Sequence, residues 1–88
     1  MKEVAARFGA NLARARESAG ITQEVLSFGV SLHRTEVGLL ERGGRIPRID
    51  TLVKLRDTLE VETDELIVGI VWLPGDFRPG GFVERGGD

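Results

Sequence analysis

Four arginines, Arg34, Arg42, Arg45 and Arg48, fall within one short stretch of the chain. A guanidinium presents its N–H donors in a fixed fork and stays charged at any physiological pH, so such a cluster suits a polyanion better than an apolar partner. Charge is polarised along the chain. Residues 1–48 hold eight Lys/Arg against five Glu, and residues 49–88 hold four against nine acidic residues, for a formal total of −2. An acidic protein can therefore still attract an anion, provided the fold gathers the arginines of the first half on one face. Taken alone, the same charges also describe an ordinary solvated surface.

Catalytic chemistry has little to work with. Cys and Tyr are absent, there is no His-x-x-x-His or similar metal spacing, and the Gly-Gly pairs do not sit between a strand and a helix, where a phosphate-cradling loop would need them. No catalytic residue, metal site, cofactor or small-molecule ligand is expected, and His33, the lone histidine, reads as a helix cap or a phosphate contact. With 88 residues, 41% of them apolar, the chain has room for one small domain. The absence of Cys removes the usual staple of small secreted domains. The longest apolar run, Leu66 to Leu73 around Gly69, is too short to span a membrane, and the N-terminus shows no signal-peptide core. A cytoplasmic protein that does not engage a membrane is expected.

Helices must do the positioning. Ala5, Phe8, Leu12, Ala15 and Ala19 recur at spacings of three and four, which makes one helical stripe over roughly residues 4–18, ended by Gly20. Gly9 within it costs about 1 kcal/mol relative to Ala. Thr22 is a good N-cap for a short second helix carrying Val25, Leu26 and Val30. A third segment puts Val37 and Leu40 on one side and Arg34, Glu36 and Arg42 on another, and Gly43-Gly44 stops it. Pro47 makes residues 43–48 a loop, after which Ile49 to Leu59 reads as a fourth helix. Glu62 or Thr63 can cap a fifth, with Glu65 three residues beyond Glu62 for a capping box, running through Leu66, Ile67 and Ile70. Beyond Trp72 come turn formers, Pro74-Gly75 and Pro79-Gly80-Gly81, so residues 71–88 are expected to be an irregular extension of a helical domain over residues 1–70.

Gly20-Ile21-Thr22-Gln23, Leu26-Ser27, Val37-x-x-Leu40-Glu41-Arg42-Gly43, Pro47 and Thr51-Leu52-x-x-Leu55 occur in that order without a gap. In this the sequence resembles the phage repressor and Cro-like (Xre-type) helix-turn-helix family, over residues 8 to about 70. The resemblance implies an all-α, five-helix, lambda-repressor-like DNA-binding domain followed by a Gly/Pro-rich C-terminal tail. It also implies that the helix over about residues 34–42 lies in the major groove with its N-terminal residues against base edges.

On that resemblance, Arg34 and Thr35 are the expected base readers. Arginine can donate two hydrogen bonds to guanine, and threonine offers a hydroxyl and a methyl. Glu36 could accept from cytosine N4 or serve only as a partner for the helix dipole. Leu39 could touch a thymine methyl or pack against protein. Gln23 resembles the family's phosphate-binding residue, with His33, Arg42, Arg45 and Arg48 flanking the groove. Arg16 and Glu41 resemble its partly buried ion pair. His33 and Ser31 depart from the family's preferred Ser/Thr and Gly, and Gly38 and Leu39 stand where polar residues are usual.

The expected function is sequence-specific binding of double-stranded DNA by a small transcription regulator. A homodimer on a palindromic operator is expected, joined around residues 60–70. The alternative is a protein-interaction module on the same fold, an antitoxin or adaptor, using Leu39, Phe28 and the tail aromatics. Trp72, Phe77 and Phe82 leave three options for the tail: folding back to bury Trp72 on the helices, building a dimer contact, or fraying.

Overall fold

The computed structural model describes residues 1–84, and Arg85, Gly86, Gly87 and Asp88, part of the expected tail, lie outside the described residues. Five helices follow in order: α1 Lys2–Ser18, α2 Gln23–Val30, α3 Arg34–Glu41, α4 Ile49–Leu59 and α5 Thr63–Ile67. Their ends follow the local chemistry. Thr22 Oγ1 accepts from the Val25 N–H at 3.1 Å to cap α2, and His33 Nδ1 accepts from the Thr35 N–H at 3.1 Å to cap α3. Glu62 and Glu65 close the capping box of α5. The apolar stripes of the helices meet in one core of Phe8, Leu12, Leu26, Val30, Val37, Leu40, Leu55, Leu59 and Leu66. This is the all-α, lambda-repressor-like architecture. No helix is long and apolar enough to cross a membrane, among the described residues.

Asn11, in the middle of the α1 stripe, is fully buried. Its Nδ2 donates to the carbonyls of Leu66 (3.0 Å) and Val68 (2.9 Å), which are left over where α5 ends. One amide thereby fastens α5 to α1 and satisfies orphan acceptors that burial would otherwise make costly.

Helix α5 stops at Ile67, three residues before the expected Ile70. Val68 is extended and Gly69 turns with φ +89°, so Ile70 starts a strand and reaches the core from there. The tail is a β-hairpin, not irregular chain: β1 Ile70–Leu73 and β2 Gly81–Glu84 pair antiparallel, with Val71 opposite Val83 and Trp72 opposite Phe82. Of the Pro and Gly residues that suggest irregularity, Pro74, Gly75, Pro79 and Gly80 form its connecting loop, where the Arg78 N–H donates to Asp76 Oδ1 at 3.2 Å, and Gly81 opens β2. The β-branched and aromatic residues on either side are strand formers. The hairpin leans on the N-terminal half of α1, where Val4 and Arg7 share a narrow crevice with Ile70, Phe82 and Val83. Trp72 is not buried on the helices. It is 52% exposed and stacks edge-on against Phe82, ring centres 5.0 Å apart.

Ser31 ends α2 in the left-handed region, φ 58°, and is exposed. A side chain there is strained where glycine is not. Ser31→Gly is expected to raise the unfolding free energy by about 0.5 to 1 kcal/mol, the backbone relief outweighing the extra freedom of the unfolded chain. A urea midpoint that falls instead would mean that the serine makes up for its backbone.

Candidate nucleic-acid interface

Helices α2 and α3 present their N-terminal ends to the same open cleft, of about 630 Å³. Thr22 and Gln23 line it from α2, and Arg34, Thr35, Gly38 and Arg42 from α3. Four of the residues expected to touch DNA are therefore brought together: Gln23, Arg34, Thr35 and Arg42. Arg34 and Thr35 occupy the first two positions of α3 and are exposed. Among the described residues, neither Arg34 nor Arg42 has an acidic partner. The positive end of the α2 dipole adds to this field.

Gly38 organises the middle of the cleft. A Cβ there would lie 3.1 Å from Arg42 Nη1 and 3.6 Å from Gln23 Oε1, so the missing side chain is the space into which both reach. Gln23 spends its Nε2 on Glu41 Oε1 at 2.9 Å, with its own Oε1 over Gly38. Glu41 in turn takes a two-point contact from Arg16, Nε to Oε2 at 2.6 Å and Nη2 to Oε1 at 3.1 Å. Arg16 Nη1 also donates to the Ile21 carbonyl at 2.9 Å, in the turn between α1 and α2. The Arg16–Glu41 contact expected from the sequence is thus the anchor of a network that fixes Gln23. The hydrogen bond from Glu41 raises the Arg16 pKa above its ordinary value against the opposing effect of desolvation, so Arg16 is permanently charged.

The remaining expected residues go elsewhere. Glu36 is ion-paired with Arg45 beside a second hollow lined by Leu32, Ile46 and Pro47. That contact engages its carboxylate within the protein and leaves Arg45 partly neutralised. Leu39 is half-buried with its side chain over Gly44, filling the place of a Cβ there. Arg48 precedes α4 and lies 3.4 Å from Asp50, both well exposed. His33 serves as the α3 cap. Sequence reasoning took Gly38 only as a missing hydrogen-bonding group. A glycine inside a helix of eight residues was the available signal that something else occupies its place.

The family model for helix-turn-helix proteins matches residues 12–66. The chain belongs to that family. Helix-turn-helix proteins of this Xre-type family are DNA-binding transcription regulators rather than enzymes. Among solved structures, the restriction-modification controller protein C.AhdI from Aeromonas hydrophila is similar at 37% identity and TM-score 0.68, over 70% of this chain and 94% of that one. The hypothetical transcription factor NHTF from Neisseria is similar at 25% identity and TM-score 0.70, over 77% of this chain and 79% of that one. An HTH_3 family transcriptional regulator from Vibrio cholerae shares the fold at 23% identity and TM-score 0.70, over 74% of this chain and 36% of that one. None of the curated proteins matches the chain. The helix-turn-helix match ends at residue 66, before the hairpin begins.

Proposed function

We propose that the protein is a small cytoplasmic transcription regulator that reads double-stranded DNA with α3 in the major groove. The observation that carries this is the pair Arg34 and Thr35, exposed on the first turn of α3 and sharing a cleft with Gln23 and Arg42. Arg34 is positioned to donate twice to a guanine edge, with Thr35 beside it. Gln23, Arg42 and, further out, Arg48 hold the phosphates and set the register without reading sequence. Similarity to C.AhdI, a controller protein, supports a regulatory role. One such domain buries too little for tight operator binding, so two copies act on a palindrome with half-sites about 34 Å apart.

Fluorescence anisotropy with a library of duplexes at two salt concentrations tests the reading. Selection of a palindrome is expected, with affinity falling steeply as salt rises. Arg34→Ala should cost about 1 to 3 kcal/mol per half-site and relax the preference at one base position. Equal binding to every duplex, or an Arg34→Ala variant that keeps the parent's full selectivity, would overturn it.

A further inference from the structure

The hairpin is an addition to the family body and a poorly protected one. A two-stranded ribbon is marginal in water unless more strands or a helix cover its apolar side, and α1 supports only part of this one. Its apolar residues are largely uncovered: Phe77 is completely exposed, and Trp72, Leu73, Phe82 and Val83 remain about half exposed. Strand β1 reads Ile70-Val71-Trp72-Leu73, with no charge, no proline and no bulge, and it has β2 on one side only. Alternate N–H and C=O groups of β1 therefore point outward, unpaired among the described residues, with no charge, proline or bulge to turn a partner strand away.

We propose that the hairpin is the surface through which two copies of this chain associate, β1 of one copy pairing antiparallel with β1 of the other. The proposal rests on the two-copy reading of DNA binding given above and identifies the contact that supplies it. Area supports a second copy as the occupant. At roughly 150–250 Å² for a fully buried aromatic, and less for Leu and Val, the five exposed side chains offer on the order of 500 Å² on each copy. A standard interface takes about 800 Å² from each partner, somewhat more than half of it apolar, so this patch supplies the apolar share of one such interface.

A two-fold pairing is self-consistent. With the axis at Trp72, the two Trp72 residues stand opposite one another and Val71 of one copy stands opposite Leu73 of the other, and no like charges meet, because β1 has none. The loop carrying Phe77 then runs past Gly69 of the other copy toward its Ile67 and Val68, two further exposed apolar residues at the end of α5. The pairing turns two marginal ribbons into one four-stranded sheet.

Sedimentation velocity of the full chain without DNA, from low to high micromolar concentration, tests this with Trp72 emission followed in parallel. The parent is expected to pass from monomer to dimer while its emission moves to the blue. Leu73→Lys places a charge on the paired edge, and Phe77→Asp alters a side chain that is completely exposed in the monomer, so its effect does not come from unfolding. Each should weaken self-association by about tenfold or more while helical circular dichroism stays at the parent value. Dimerisation of both variants at the parent's strength would overturn the proposal, and so would a parent that stays monomeric throughout. The DNA reading is scored separately: variants that no longer dimerise should still hold a single half-site in an Arg34-dependent manner. Parent dimers that bind no duplex would sink that reading and leave the hairpin contact standing.

Discussion

Arg16→Met is expected to lower the unfolding free energy by about 3 kcal/mol, a large part of what a domain of this size has. The Arg16 side chain is 15% exposed and that of Glu41 is 7% exposed, so removing the guanidinium strands a carboxylate that water reaches poorly. Methionine keeps much of the apolar stem, which assigns the loss to charge and hydrogen bonds and not to packing. The Ile21 carbonyl loses a donor at the same time. Urea unfolding followed by circular dichroism measures the effect. A midpoint equal to the parent's would show that the pair is not structural. The double variant Arg16→Met/Glu41→Leu should recover part of the loss, because replacing both charges removes the stranded one, whereas a purely steric role for Arg16 gives no recovery. The sign of the pH dependence follows from the raised Arg16 pKa. Its stabilisation is complete below the ordinary arginine pKa and is lost only above it, so it does not vary across the physiological range.

A local consequence for function follows from the same network. Gln23 Nε2 is held by the Glu41 oxygen that Arg16 Nη2 also contacts. Losing Arg16 therefore loosens the cleft as well as the fold, and DNA affinity should fall more than the loss of a remote charge would explain.

The helices were legible because each carried its own instructions: a stripe at helical spacing in α1, Thr22 before α2, Gly20 after α1, and the Glu62/Glu65 pair before α5. The first turn of α3, with Arg34 and Thr35 exposed on it, was legible through the family pattern of residues 20–55. What the sequence does not show shares one physical feature, dependence on a distant partner. Glu36 could not be known to meet Arg45 across the loop, nor Leu39 to lie over Gly44. Asn11 reads as an ordinary helix residue until α5 arrives with two carbonyls to satisfy. The hairpin failed for a different reason. Its loop composition dominates the segment, and two strands of four residues are too short to announce themselves against it.

Gly9 gives the second large effect, and its sign is opposite to what helix propensity alone predicts. In an exposed helix interior, Gly→Ala stabilises by about 1 kcal/mol. Here Gly9 is buried where α1 crosses the C-terminal end of α3, and a Cβ would stand 2.5 Å from the carbonyl oxygens of both Leu40 and Glu41. Those atoms are backbone and have no rotamer to move to, so α1 must withdraw from α3 or α3 must unwind at its end. Gly9→Ala is therefore expected to destabilise by about 2 kcal/mol and Gly9→Val by more, the overpacking cost exceeding the propensity gain. Gly43, at φ +75°, makes the same approach possible from the other side, since a Cβ on it would meet Ala6 Cα at 2.8 Å. The two glycines thus set how closely α1 presses on the end of α3, and with it where Glu41 meets Arg16 and Gln23. Urea unfolding of Gly9→Ala decides the matter. A lower midpoint places the fault at the α1–α3 crossing, whereas a rise of about 1 kcal/mol, the propensity value, would mean that the two helices separate at no cost and that their close approach does not hold α3 in place.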